Sequence, residues 1–470
     1  MFERRGTEPT QAQLFVMGGQ LPETTPDAFY RRVNRTLEKI QFAKQVWKIC
    51  QPAYADPSRG GRPGIDPVVY LKMLMVGFFE DLPSERSIAS RCGDSLSIRG
   101  FLGYELTEST PDHSSLSVIR ERLSQNQLRA MHVVLLKALH DHGLLKGKKL
   151  GIDSSIIEAN ASLRALQHRN TEQNYWDYVK NLAREAGIDP EDTKAVRRFD
   201  KKRKGRKTSN VEWVNPHDPE AKVGRTKDGA TDMVYKPEHV SDLESGAIVR
   251  VEVRSGDAGD TEGMSGRVMD AVQLVAEALP EEKHGQIAQS VCADEGYFAV
   301  AEVAALQEAE CRVVIGDPQA EGRRPDAPEK EKRTLRKARC AVKSESGKAL
   351  LRRRGEHLER GFCHVLDHGG LRRATLRGRE KLTKRQYVAA MAHNLSLLLR
   401  KLFGIGTPKQ WLAASAGIIF AVLLALSKLC KLVRQLFQDI RGTVVICRPE
   451  LVHAVGPPVG SRNGPSSTGC

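Results

Sequence analysis

The sequence predicts an α/β core set between an all-helical N-terminal region and a helical C-terminal segment. Three observations carry this reading. Apolar residues recur at helical spacing up to residue 145, and short apolar or alternating runs separated by amphipathic helices follow from 148 to 366. Helical periodicity then returns over 384–437. With 470 residues, 40% hydrophobic and 28% charged, the chain has a globular composition and room for two or three cores.

Residues 1–60 read as an irregular arm leading into a helical start. The stretch "GRPGIDPVVYLKMLMVGFFEDLPSERSIASRCG" (61–93) reads as a helix pair. Pro67 suits a first turn, Val68, Leu71, Leu74, Met75 and Phe78 recur at helical spacing, and the second helix carries Ile88. "STPDHSSLSVIRERL" (109–123) is a further amphipathic helix, with Arg120 and Arg122 expected on its exposed face, and 128–145 is another, closed by Gly143. Basic faces on several of these helices suit helix–turn–helix DNA binding and suit ordinary helical packing equally.

At residue 148 the character changes, and "KKLGIDSSIIEA" is strand-like. Residues 160–230 form a polar, basic insertion in which "RRFDKKRKGRK" (197–207) has eight Lys or Arg in eleven positions. Such a run is a solvated or disordered segment, a nucleic-acid contact, or both, with Lys201, Lys202, Arg203 and Lys204 as its DNA-binding candidates. Residues 231–257 alternate as two strands around a turn at Gly246, and 260–279 is an amphipathic helix with Asp260 or Thr261 as its N-cap. A buried strand ending at Asp294, a helix, a strand over 311–318, a charged insertion over 319–348 and a helix over 348–366 complete a mixed sheet with flanking helices. The uncharged "WLAASAGIIFAVLLALS" (411–427) is nearly long enough to span a bilayer, but stands alone and reads as a buried or interface helix. The Pro/Gly/Ser-rich C-terminus is expected to be disordered.

A formal charge of +15 and a pI near 9.4 favour a polyanionic partner, nucleic acid before membrane. Nine scattered cysteines without a CxxC pair argue against a disulfide framework and a zinc ribbon, and no apolar signal segment opens the chain, so a cytoplasmic location is expected.

The chemistry centres on acids. An ionised carboxylate inside an apolar strand is costly unless it is paired or holds a metal, which singles out Asp153 in "GIDSSIIEAN". Asp294 sits at a matching strand end, and Glu356 and Glu359 in "GEHLERGF" are candidates for a third acid on a packed helix. Three carboxylates without His or Cys ligands favour Mg²⁺ or Mn²⁺. Two such ions about 4 Å apart would serve phosphodiester chemistry.

The segments "GIDSSIIEANAS", "KDGATDMVYKPEHVSDLESGAIV", "ADEGYF" and "GEHLERGFCHVLDHGGLRRATLRGREKLTKRQYVAAMAHNLSLLLRKLFGIGTP" resemble DDE-type transposases of bacterial insertion sequences. Residues 61–123 resemble that family's helical N-terminal domain, and the resemblance spans roughly residues 60–405. It implies a helical DNA-binding domain over 1–145, a ribonuclease H-like catalytic domain over 146–405, and a helical segment with a disordered tail over 406–470. It also implies metal-dependent cleavage at transposon ends and strand transfer into target DNA, by a homodimer or higher oligomer on double-stranded DNA. Asp153, Asp294 and Glu359 would be the catalytic metal ligands, with Asp153 bridging two ions and the other two holding one each. Glu359 is preferred to Glu356 because "ERGF" occupies the place of the family's Glu-Arg-x-Phe stretch. Lys236 and His239 in "YKPEH" are expected near the scissile DNA, with structural packing as the other reading of His239. Arg360, Arg372 and Arg373 are expected at phosphates. Related enzymes often carry a Tyr and an Arg before the Glu and a Lys after it as accessory phosphate contacts; here position 355 is Gly and 364–367 read "HVLD", so Arg354 is expected to substitute as a DNA-binding residue. Asn160 would orient Asp153 or cap a helix, and Glu158 would be structural. The alternatives are a metal-dependent nuclease that cuts without joining and an inactive DNA-binding remnant.

Overall fold

The computed structural model of the chain describes residues 25–54, 64–203, 210–226, 228–319, 328–413, 423–424, 426–433 and 435. Lys204 and much of the apolar 411–427 stretch lie outside these residues, as does the C-terminus from 436. The first part of the chain is helical: α1 (Thr25–Lys39), α2 (Phe42–Cys50), α3 (Pro67–Phe79), α4 (Glu85–Asp94), α5 (Leu96–Leu102), α6 (His113–Arg122) and α7 (Gln125–Asp141). Helix α3 starts where its chemistry requires, with the Asp66 carboxylate accepting from the Val68 N–H at 2.7 Å and Pro67 in the first turn. Val68, Leu71, Leu74, Met75 and Phe78 are buried, and so are most of their neighbours, because α3 runs through the middle of the helical core. One expectation for this region fails. Arg120 is buried rather than exposed, because Glu85 on α4 supplies a carboxylate for its guanidinium. Arg122 does face solvent, stacked over the Tyr54 ring at 4.6 Å.

After α7 come β1 (Lys149–Ser154), β2 (Ile157–Glu158), β3 (Gln167–His168), α8 (Tyr175–Glu185), α9 (Thr193–Lys202), β4 (Trp213–Val214), β5 (Lys222–Arg225), β6 (Thr231–Asp242) and β7 (Ile248–Ser255). Then follow α10 (Met264–Ala278), β8 (Ser290–Cys292), α11 (Val300–Glu308), β9 (Arg312–Val314), α12 (Glu329–Lys343), α13 (Glu345–Phe362) and α14 (Arg379–Phe403). The basic insertion contains a small core of its own, in which Val179 and Ala183 of α8 meet Val196 of α9. The charged stretch after β9 carries helix α12.

The sheet runs β2-β6-β1-β8-β9, with β5 and β7 also paired to β6. Antiparallel β6 and β7 are joined through Gly246, whose φ of 78° is the left-handed geometry that glycine adopts freely. β8 lies parallel to both β1 and β9, so the sheet is mixed. Its register puts Gly151, Asp153, His239, Ser241 and Cys292 on one face and Leu150, Ile152, Val240 and Val291 on the other. Helices α10 and α11 cover the second face. Helix α13 covers part of the first, and its closeness depends on Gly151: an added Cβ there would meet Leu243 at 2.5 Å and Leu358 at 3.1 Å.

Helix α14 joins the helical region to the sheet, and one apolar cluster runs from α1 through α14 to Ile248, Val251 and Val253. It also covers the free edge of β7. The buried Asn394 side chain accepts from the Ile248 N–H at 2.9 Å and donates to the Ile248 carbonyl at 2.8 Å, as a neighbouring strand would. The Val253 N–H donates to Thr383 Oγ1 at 3.1 Å. The chain divides into two units, residues 1–411 and 412–470. In the second unit the described residues are helical, and Leu423, Leu426, Leu429 and Leu432 are exposed. Among the described residues no helix is long and apolar enough to cross a membrane.

Asn394→Ala leaves the buried Ile248 N–H without its partner and takes one of two from the Ile248 carbonyl, which His132 Nε2 also meets at 3.0 Å. It is expected to lower stability by about 2–4 kcal/mol, read by urea unfolding, whereas exposed Asn181→Ala on α8 should change it by less than about 0.5 kcal/mol.

Candidate active site

Gly151 pairs with Cys292 across parallel strands, and two residues further on each strand yields an aspartate. Asp153 and Asp294 therefore emerge side by side at the C-terminal ends of β1 and β8, where open α/β sheets bind ligands. Asp294 is exposed and accepts from the Glu295 N–H at 2.8 Å, capping a single turn over Glu295–Tyr297. Asp153 is part-buried. Burial pushes its carboxyl up from the usual range, Arg354 and the Ser154 N–H pull it back, and the nearby charges of Asp294 and Asp260 push it up again.

Both Asp153 oxygens are engaged. Oδ1 accepts from the Ser154 N–H at 2.8 Å, and Oδ2 accepts from Arg354 Nη1 at 2.7 Å. Arg354 comes from the inner face of α13, flanked one turn either side by buried Leu350 and Leu358. Glu359 follows Leu358 on that helix, about 7.5 Å further along the axis than Arg354. It is exposed and forms no ion pair among the described residues. Arg354 is thus the α13 side chain that reaches Asp153.

The carboxylate-only donor set fits a hard divalent cation, and the mutual repulsion around Asp153 marks a place where added positive charge is favourable. Among the described residues, no three His, Cys, Asp or Glu side chains are gathered closely enough to hold an ion. The charge on Asp153 is met by Arg354.

On the opposite face of the sheet a buried network supports the same corner. Glu238 on β6, directly across from Ser154, has no side-chain exposure. Its carboxylate accepts from Arg267 Nε at 2.5 Å, Arg254 Nη1 at 3.4 Å and the Tyr297 hydroxyl at 3.1 Å. The two arginines also donate to main-chain carbonyls: Arg254 to Gly259 at 2.7 Å, Arg267 to Asp260 at 2.9 Å and to Glu262. The loop so held presents Asp260, which accepts from Ser154 Oγ at 3.0 Å and pairs with Lys236 Nζ at 2.6 Å. Asp260 does not cap α10, nor does Thr261; the N-cap is Gly263, in left-handed geometry. Sequence reasoning did not find Glu238 or Asp260 as site residues. The available signal was period-two alternation, which puts Lys236 and Glu238 on one face and His239 on the other.

His239 is buried and stacked on Phe362 at 4.4 Å, a packing position away from any surface that DNA could follow. Arg360 is exposed and paired with Glu356 at 2.9 Å. Arg372 donates to Asp367 at 2.7 Å and to Ser155 Oγ at 3.2 Å, and Arg373 projects into solvent 3.7 Å from Glu158. Residues 372–374 bond to the backbone of Glu158 on β2, which holds both arginines beside the strand end carrying Asp153. Asn160 donates to the Thr375 carbonyl at 3.0 Å, fixing this same segment instead of Asp153. Lys201 and Lys202 are exposed at the end of α9, and Arg203 is bonded to Asp200 at 2.8 Å.

Two family models match the chain: "Transposase domain (DUF772)" over residues 20–122 and "Transposase DDE domain" over residues 310–399. The second includes Arg354, Glu359, Arg360, Arg372 and Arg373, while Asp153 and Asp294 fall outside both. No curated protein and no solved structure matches the chain.

Burial holds His132, His239 and His364 down at about 4 and His393 at about 3. These imidazoles are neutral when folded and take up protons on unfolding, so their stability contribution is complete above about pH 6.5 and is lost as pH falls towards 4. Thermal melts across that window should fall steeply. His239→Phe, which keeps a ring against Phe362, should flatten the slope by about 1.4 kcal/mol per pH unit.

Proposed function

We propose that this chain, which its two matched domains make a DNA transposase of the DDE type, is a ribonuclease H-like polynucleotidyl transferase that cleaves transposon ends and joins them to target DNA. The observation that carries the reading is the pair of aspartates, Asp153 and Asp294, emerging side by side from adjacent parallel strands. Glu359, within the matched DDE domain and on the helix that packs over β1, is our candidate for the third acid.

Asp153, Asp294 and Glu359 would hold Mg²⁺ or Mn²⁺. Two bound ions supply Lewis-acid activation of the attacking oxygen, water first and the freed 3′-hydroxyl second, and stabilise the leaving oxygen. In this assignment Asp153 would serve both ions, and Asp294 and Glu359 one each. Arg373, exposed at the edge of the corner, and Arg372 beside it contact DNA phosphates. Lys236 holds Asp260 at the margin of the site. The helices up to residue 145 recognise the transposon end, the core over 146–405 carries out the chemistry, and the basic α9 terminus adds backbone contact. A homodimer or higher oligomer would bring two ends together.

The test uses the DNA that flanks the gene, where terminal inverted repeats should be found, as an oligonucleotide substrate with Mg²⁺. Asp153→Asn and Asp294→Asn should each reduce end cleavage by more than about 100-fold. Glu359→Gln should match them while Glu356→Gln stays within about tenfold of the parent. Full activity in Asp153→Asn would remove the site assignment. A pre-cleaved end should yield strand-transfer product, and cleavage without any joining would make the protein a nuclease. End binding without metal should weaken steeply between 50 and 200 mM salt, by about 10³-fold or more where six or more phosphates are contacted.

A further inference from the structure

The acids at this corner are already neutralised from within. Arg354 donates to Oδ2 of Asp153 at 2.7 Å, and Lys236 pairs with Asp260 at 2.6 Å. Asp294 alone of the three has no cationic partner among the described residues. Arg354 is not a mobile surface arginine that happens to fall on an acid. It leaves α13 between Leu350 and Leu358, which are packed against Cys292, Val314 and Leu243, so its reach to Asp153 is fixed by the core. Its Nε is buried and has no hydrogen-bond partner among the described residues, so the contact with Asp153 is made with part of the guanidinium's bonding capacity unused there.

We propose that Arg354 is an electrostatic latch on Asp153: it supplies the positive charge that the acid corner requires and competes with divalent cations for the same carboxylate oxygen. The proposal rests on the reading of Asp153 as a metal ligand. A divalent ion at Asp153 must either displace the guanidinium from Oδ2 or sit a few ångströms from it, and two like charges at that distance in a part-buried corner repel strongly. Ion affinity is therefore held below what the carboxylates alone would give. The displaced guanidinium, with its free Nε–H, becomes available to a phosphate oxygen. The arginine that sequence reading assigned to DNA is in this scheme engaged with Asp153 until an ion replaces it, so that loading of the site and phosphate contact are coupled. Arg354 acts on the reaction through Asp153 and is a positioning residue.

The test is a Mn²⁺ titration of the full-length protein without DNA, followed by the paramagnetic resonance of free Mn²⁺, in the parent, Arg354→Gln, Arg354→Lys and Asp153→Asn. Arg354→Gln should bind Mn²⁺ on the order of tenfold more tightly than the parent, and Arg354→Lys, which keeps the charge but not the planar fork, should show a smaller gain. Circular dichroism establishes that each variant is folded. If Arg354→Gln does not fold, the Arg354→Lys comparison decides alone. Unchanged or weaker binding in the folded variant overturns the latch. Asp153→Asn separates this from the underlying reading: parental binding in that variant removes Asp153 as a ligand, whereas lost binding there with no gain in the Arg354 variants removes only the latch.

Discussion

The acid corner hangs from one buried carboxylate. Glu238 has no exposure, and a charge so placed is balanced by the guanidinium groups of Arg267 and Arg254, the Tyr297 hydroxyl and, at 4.0 Å, Arg250. Three of those partners reach onward to the site. Arg254 and Arg267 grip the carbonyls of Gly259, Asp260 and Glu262, and Tyr297 ends the single turn capped by Asp294. The loop bearing Asp260 and the turn after Asp294 are therefore referenced to one point in β6, the strand that also registers β1 and so Asp153. Removing Glu238 would leave Arg267 without a carboxylate partner among the described residues and would loosen two segments of the site at once.

The second constraint is α14. Edge strands are open to pairing with another chain, and β7 is closed by side chains instead of a strand, with Asn394 and Thr383 bonding its backbone. The same helix packs against α3 and α7, so the helical region and the sheet share one core. A load on the helices would thus be transmitted to β7 and β6 through packed side chains.

Much of this was legible in the sequence because it is local. Alternation found β6, β7 and their Gly246 turn, and helical spacing found α3, α10 and α13. What the sequence hid depends on contacts between distant residues. Arg120 looks like surface charge on an amphipathic helix until Glu85, 35 residues earlier, is placed against it. Asp260, followed by a helical run, looks like a cap; its neighbours Ser154 and Lys236 come from two strands far away in sequence. His239 and Lys236 lie in one short motif, yet their three-residue spacing sends them to opposite faces of β6, one into the core and one to the site margin. The sequence places Asp153 and Asp294 at matching strand ends, but that β1 and β8 are parallel neighbours, with Gly151 opposite Cys292, is a contact between residues 141 positions apart in the chain that only the fold supplies.

Helix α13 sets the remaining geometry. Leu350, Arg354 and Leu358 recur every four residues and form its inward stripe, so a cation rather than an acid stands opposite Asp153. Glu359 is turned about 100° from Leu358. One turn before it comes Gly355, where an added Cβ would lie 3.7 Å from Glu359 Oε1. The missing side chain keeps the flank beside Arg354 open, and Glu359 is the acid that borders it. Glu356, one residue after Gly355 and about 100° further around the helix, is tied to Arg360 in solvent. An arginine at 355 would fill this flank and set its charge against Glu359. With the arginine at 354 instead, the positive charge falls on Asp153 and the flank bordered by Glu359 carries no side chain at 355.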